Sequence, residues 1–418
     1  MRKRTPLGLA AVSLAAMAVG AFAPYASADS SAQGNDAVVV GSDTVQFGAD
    51  FVADGDFNGN LGYNSGTFNR VFDYFATGDA NGRFVNAGGV SGASPTTPGA
   101  GTIVLRAGTK PVVRPNGSGA GIGALLADVN GGYRGLPTYS INAARASRLP
   151  TNTATTGEDA LCDAVTNCGG YHVYEVANDT LAIAQLASGS NAVNLDANQL
   201  WNIYNCTTGY THWNDTAIGG TSPDTIVPEI PQSGSGTRTF FLATIDAASG
   251  HSSDPSLSCA TTVEEHDPSG ITQDPHPTDA IEPFSTGRLS MINSGLYFNN
   301  SGSAAGTPAT GYAAGALTVQ SGTSLKDTGT PVFSTVRAVY IVVRQHDLGL
   351  ACSASTTPTC FVPGGSKNIV NSLIAGGATA VFRSAAYGPN WASAGFTQHF
   401  QDCGIDPDPT TSTCATSP

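Results

Sequence analysis

Two short loops carry the residue types best suited to chemistry in this chain. Pro231-Gln232-Ser233-Gly234-Ser235-Gly236-Thr237-Arg238 runs into Thr239-Phe240-Phe241-Leu242. Asn116-Gly117-Ser118-Gly119-Ala120-Gly121 runs into Ile122, Leu125, Leu126 and Val129, spaced i, i+3, i+4, i+7. Each reads as a small polar loop opening an apolar helix. Such a loop presents hydroxyls and unpaired backbone N–H groups at the positive end of a helix dipole, where oxyanions bind. Gly234 and Gly236 permit close backbone approach, Ser235 and Thr237 supply hydroxyls, and Arg238 offers a charge-assisted donor. An ordinary capped helix with a glycine-rich entry would look the same for one loop. Two in one chain favour anion binding.

Other chemistries leave weaker traces. Gly117, Gly119, Gly121 and Gly123 alternate and do not form G-x-G-x-x-G, and no G-x-x-x-x-G-K-[ST] or G-x-S-x-G occurs. Arg145-Ala146-Ser147-Arg148 follows a short strand, where α/β clefts take ligands. Arg145 reads there as a solvated arginine, Arg148 as a site candidate. His251, Asp254, Glu264, Glu265, His266, Asp267, Asp274 and His276 match neither H-E-x-x-H nor an EF-hand and read as a solvated loop. No metal, cofactor or catalytic set is expected.

The elements that must position these loops alternate. Strands are expected at 37–40, 102–106, 139–143, 171–176, 225–230 and 336–343, with 180–184 extending or following the fourth of them. Short helices are expected at 70–75, after Leu195-Asp196 with Leu200, Ile203 and Tyr204 on one face, and after Ser366 with Ile369, Val370, Leu373 and Ile374. The helix from about Thr237 to Ala247 is apolar nearly all round and is expected to be buried. This alternation argues for an α/β class with largely parallel sheets.

Composition bounds the partners. The 418 residues carry a net charge of −13, which makes nucleic acid and anionic membrane poor partners. Arg2, Lys3 and Arg4, an apolar stretch from Leu7 to Ala23 and Ala26-Ser27-Ala28 read as a signal peptide over 1–28, so a secreted protein is expected, with no lipid anchor and no membrane-spanning run. Cys162, Cys168, Cys206, Cys259, Cys352, Cys360, Cys403 and Cys414 make an even set, expected to pair in sequence order as disulfides.

Several motifs occur together in one order. They are Gly41-Ser42-Asp43-Thr44, Gly117-Ser118-Gly119, the block Leu195-Asp196-Ala197-Asn198-Gln199-Leu200-Trp201-Asn202-Ile203-Tyr204, then Trp213-Asn214-Asp215 and Ser235-Gly236-Thr237. With them the mature chain resembles the periplasmic phosphate-binding proteins of phosphate import transporters. The resemblance implies a two-lobed type II periplasmic-binding-protein fold with a ligand cleft between the lobes. Lobe 1 would take 29–169, lobe 2 170–335, and 336–418 would return to lobe 1 with a disulfide-pinned tail. It implies a non-enzymatic, monomeric protein that binds phosphate or a similar oxyanion, with an ABC permease as partner. Thr44, Val45 through its backbone N–H, Ser118, Ser235, Gly236 and Thr237 are carried over as ligand contacts, with Ser42 and Ser147 beside them. Two positions depart. Arg148 stands where the family has an aspartate after Ser147, and Pro231 stands where it has an arginine. Arg148, with Arg238, is therefore expected to supply positive charge, and Asp43 to replace the missing acceptor. Two rival classes stay open: a surface protein that keeps the fold but has lost phosphate, and a secreted phosphatase or esterase.

Overall fold

A computed structural model describes residues 31–150, 170–186, 195–293, 317–319, 334–348, 370–375 and 380–414, apart from positions 35, 57, 67–69, 77–83, 87–98, 130–131, 408–411 and 413. The 1–28 segment, Cys162, Cys168, Cys352, Cys360 and Ser366 lie outside the described residues.

In chain order the elements are β1 (Ala37–Gly41), α1 (Asp43–Asp54), β2 (Val71–Asp73), β3 (Phe84–Asn86), β4 (Gly99–Ile103), β5 (Val112–Val113), α2 (Ser118–Ala127), β6 (Ala143–Ala146) and β7 (Tyr171–Leu186). There follow α3 (Ala197–Tyr204), β8 (Val227–Pro231), α4 (Gly236–Ser249), β9 (Thr261–Val263), β10 (Ala280–Ser285), α5 (Thr286–Asn293), β11 (Leu317–Val319), β12 (Ser334–Arg344), α6 (Gly388–Ser393) and β13 (Thr397–Ile405). One sheet runs in the order β2-β1-β6-β12-β7-β10-β8-β9, with β11 and β13 also on β7, and β3-β4-β5 form a small second sheet.

Pairing is mixed, contrary to the largely parallel expectation. β1 is parallel to β2 and β6, and β8 to β9 and β10, but β7 runs antiparallel to β10, β11, β12 and β13. The two parallel groups are separate lobes. β7 and β12 are the strands that pass between them, and strands that go out and come back must run antiparallel. β7 pairs over Tyr171–Ala182 with β12 and over Leu181–Gln185 with β10. It is one unbroken strand, so 180–184 extends the 171–176 strand, one of the two arrangements the sequence left open.

The expected helix at 70–75 is instead the strand β2, Val71–Asp73. Val71, Phe72 and Asp73 lie opposite Ala37, Val38 and Val39, and aromatic and β-branched side chains suit a pleated surface. The expected strand at 139–143 lies further on, as β6. α3 starts where expected: Asp196 and Gln199 close a capping box with bonds of 2.8 and 2.9 Å. α4 is buried on one face only, through Phe241, Leu242, Thr244 and Ile245, while Thr239, Ala243 and Ala247 are exposed. Val370, Leu373 and Ile374 are buried as expected, with Asn371–Ala375 forming a single π turn.

Three apolar cores hold the lobes. One packs Val45, Phe47 and Val52 of α1 against Trp391, Val339 and Ile341, and a second packs Ile122, Leu125 and Leu126 of α2 against β1 and β6. The third joins Leu200, Ile203 and Tyr204 of α3 to Phe241 and Ile245 of α4. Cys206–Cys259 and Cys403–Cys414 are disulfides, two of the four expected pairs. Among the described residues no helix is long and apolar enough to cross a membrane.

Candidate functional site

Strand ends deliver the loops, and the loops open helices. β1 ends at Gly41, Ser42 caps α1, and Asp43, Thr44 and Val45 form its first turn. Ser118 is the first residue of α2, and β8 delivers Ser235 as the cap of α4, followed by Gly236 and Thr237. The three helix N-termini converge, and all of these residues are buried.

One side of the convergence is neutral. Ser42 Oγ donates to Ser147 Oγ (3.2 Å), Ser147 Oγ lies 3.2 Å from Ser118 Oγ, and the Ser147 N–H donates to Ser118 Oγ (2.9 Å). Gly236 of the opposite lobe presses on this ladder. A Cβ there would lie 2.2 Å from Ser147 Oγ and 2.4 Å from Ser118 Oγ. The Gly119 N–H also crosses the cleft to the Gly234 carbonyl (3.1 Å). Next to Gly117, Asn116 Nδ2 donates to Glu264 Oε1 (2.8 Å), and Gln232 Nε2 donates to Asn116 Oδ1 (3.1 Å) and Glu264 Oε1 (3.0 Å).

The other side is charged. Thr44 Oγ1 and Thr237 Oγ1 are 3.1 Å apart across the cleft. Arg337, from the middle of β12, donates to Thr237 Oγ1 (2.7 Å) and Thr44 Oγ1 (3.3 Å) and is held by two bonds to Asp179 Oδ2 of β7 (3.0 and 2.8 Å). Glu265 Oε1 accepts from Thr44 Oγ1 (3.0 Å) and from the Thr237 N–H (3.1 Å). His266 Nε2 lies 3.0 Å from Thr44 Oγ1 and 3.2 Å from Thr237 Oγ1.

These contacts fix proton positions. The Ser285 N–H donates to His266 Nδ1 (3.3 Å), so the neutral ring carries its proton on Nε2 and donates to the threonines. Burial, then the charges of Arg337 and Arg288, push the imidazole well below its usual 6.5, which keeps it neutral. Asp43 is pushed up to about 7 by burial, although Arg288 lies 3.4 Å away and opposes the shift. Burial likewise lifts Glu264 well above the carboxylate range. Behind the site, Glu229 of β8 is raised to about 8 and Glu282 of β10 well above its usual value, again by burial first.

Ser42, Asp43, Thr44, Val45, Ser118, Ser147, Ser235, Gly236 and Thr237 are thus brought together as the sequence suggests. The two expected arginines are not part of the cluster's hydrogen bonding described above. Arg148 Nη1 donates to the adjacent Leu149 carbonyl (2.8 Å), and Arg238 Nη1 to the Pro231 carbonyl (3.1 Å). The guanidinium on the threonine pair is Arg337. Arg145 is fully buried rather than solvated, ion-paired with Asp73 and bonded to the Gly41, Ser42 and Tyr74 carbonyls. Glu265 and His266 are buried site residues, not a solvated loop. Among the described residues no group of three or more His, Cys, Asp or Glu could hold a metal ion.

The family model described as the PBP superfamily domain matches residues 90–341, more than half of the chain. The chain belongs to the PBP superfamily. Its two lobes, joined by β7 and β12 with the loops converging between them, are the type II periplasmic-binding fold of this PBP superfamily member. Among solved structures it is similar to an ABC-type phosphate transport receptor from Vibrio cholerae, at 15% identity and a TM-score of 0.43 over 87% of this chain and 100% of that one. A Clostridium perfringens protein with bound phosphate gives the same four values. A human phosphate binding apolipoprotein is 16% identical, with a TM-score of 0.36 over 68% of this chain and 93% of that one. No curated protein matches the chain.

Two of the missed residues left a trace in the sequence. Arg337 is a charge inside the apolar run 336–343 of β12, and Asn178-Asp179 is the polar interruption in β7. A charge inside such a strand must be paired, and these two pair with each other.

Proposed function

We propose that the protein is an exported, non-catalytic binding protein whose lobes, drawn at 29–169 with 336–418 and at 170–335, close on a tetrahedral oxyanion. Inorganic phosphate is the first candidate, on the motif resemblance. One observation carries the reading: the N-termini of α1, α2 and α4, with Thr44, Ser118 and Thr237, meet at one contact between lobes beside Arg337. Helix N-termini and hydroxyls donate to oxyanions, and a guanidinium adds charge. A monomeric receptor serving a membrane permease follows from the same resemblance.

The enzyme reading has one observation to account for, the Thr44–His266 contact. A hydroxyl beside an imidazole can be a nucleophile and its base. Here Nε2 carries the proton and points it at Thr44, so the ring cannot take the threonine's proton.

Isothermal titration with phosphate and with sulfate tests the proposal. Saturable binding is expected in the native protein, with loss of at least tenfold in affinity for Gly236→Val, whose side chain would meet Ser118 and Ser147. No heat with either anion overturns the proposal and leaves a fold that has lost its ligand.

A further inference from the structure

The cradle already holds an anion, and it is the protein's own. Glu265 Oε1 takes the N–H of Thr237, in the first turn of α4, and the hydroxyl of Thr44 from the facing lobe. Those are the donors a bound oxyanion would use. The protons run one way: Arg337 donates to Thr237, His266 donates to the threonine pair, and Thr44 donates to Glu265. Thr44 has a single hydroxyl proton, so it cannot serve Glu265 and a ligand at once.

We infer that Glu265 is an autoinhibitory contact, a built-in occupant that shuts the cleft on itself and that an incoming oxyanion must displace. The inference rests on reading the Thr44–Thr237 cradle as an anion site. Glu265 is fastened on one side only. Among the described residues its second oxygen, Oε2, is buried without a hydrogen-bond partner. A carboxylate left half-satisfied in a buried site is a weak occupant, and a tetrahedral anion with four acceptor oxygens is a stronger one. The contact also spans the cleft, since Glu265 and Thr44 are 221 residues apart in sequence and belong to opposite lobes. Displacing it therefore removes one tie between the lobes, beside those of Gly119 to Gly234, Asn116 to Gln232 and Arg337 to Thr237. A neighbouring contact repeats the arrangement. Asn116 of one lobe is tied to Gln232 and Glu264 of the other, so Glu265 is one of several fastenings that close the cleft without a ligand.

The test uses Glu265→Met, which keeps the length and removes the acceptor, and Glu265→Gln, which keeps a neutral acceptor and serves if the methionine variant does not fold. Small-angle scattering without ligand reads the opening. Titration with inorganic phosphate at fixed ionic strength reads the competition. The expected result is a larger radius of gyration in the ligand-free variants and phosphate binding at least tenfold tighter than in the native protein, with the glutamine variant smaller in both. An unchanged radius with weaker phosphate binding overturns the inference and makes Glu265 a ligand contact. Unchanged radius and unchanged affinity overturn it as well. If no form takes up phosphate but the variants open, the oxyanion reading fails and the self-closing contact stands.

Discussion

The cleft has two halves that close by different physics. The Ser42–Ser147–Ser118 ladder against Gly236 is neutral, short-range and shaped by sterics: it works because nothing larger than a hydrogen occupies the Gly236 position. The Thr44–Thr237 half is built from buried charges, with Arg337, Asp179 and Glu265 all within hydrogen-bond reach of two hydroxyls or of one another. The neutral half can lose a contact and relax. The charged half cannot, because any partner left behind is a charge without water.

The largest test of that contrast is Arg337→Met. It leaves Asp179 buried with the Ser285 hydroxyl as the one described donor remaining, at 2.7 Å. Breaking one side of a buried pair costs about 3–5 kcal/mol, whereas replacing both partners by apolar residues is often close to neutral. Chemical denaturation should show Arg337→Met strongly destabilised and the double change Arg337→Met with Asp179→Leu recovering much of the loss. Equal losses in both would mean that the pair is not what holds β7 to β12 here.

Next comes pH, which acts on the charged half and on the carboxyls behind it. Asp43 and Glu229 are raised from 3.8 and 4.5 to about 7 and 8, so the folded state holds their protons longer than the unfolded chain does. Their contribution is complete below the unfolded values and is lost as pH rises through the folded ones. His266 works oppositely: its depressed value contributes above 6.5, and that contribution is lost as pH falls below it. Between pH 6.5 and 8 the histidine term is therefore constant and the carboxyl terms decline, by at most about 1.4 kcal/mol per group per pH unit. Thermal melts should fall across that window, and Glu229→Gln should flatten the slope. A melting temperature that rises from pH 6.5 to 8 would contradict the assignment.

The same contrast decides what could be read in the sequence. The neutral half was legible because its parts are local: a small-polar loop before an apolar helix is written in consecutive residues, and Ser118, Ser235, Gly236 and Thr237 announce it. Matching family motifs added Thr44 and Ser42. The charged half is assembled across the chain, from Thr44, Asp179, Glu265 and Arg337, and no local pattern joins them. Arg148 drew attention because it follows Ser147, but sequence neighbours on a strand end point in different directions, and its guanidinium bonds the Leu149 carbonyl. Glu265 and His266 lie in a polar segment that resembles a solvated loop until β9 carries them into the cleft. The two lobes were legible through the motif order, while the antiparallel crossing of β7 and β12 was not, because strand direction depends on where the chain returns.

The smallest effects separate two serines within the neutral half. Ser118 Oγ accepts the buried Ser147 N–H, so Ser118→Ala leaves that N–H unpaired at a cost of about 1–3 kcal/mol. Among the described residues Ser42 Oγ only donates to Ser147 Oγ, which keeps Ser118 as a neighbour, so Ser42→Ala should cost about 0.5–1 kcal/mol. The pair should differ in binding too. Ser118 opens α2 beside the cleft and its loss should weaken phosphate binding severalfold, whereas the Ser42 change should stay within about twofold, since Ser42 caps α1 without a side-chain bond to it. If Ser42→Ala proves the more damaging of the two, the ladder transmits the α1 end of the cleft to the rest, and the neutral half is not the forgiving one.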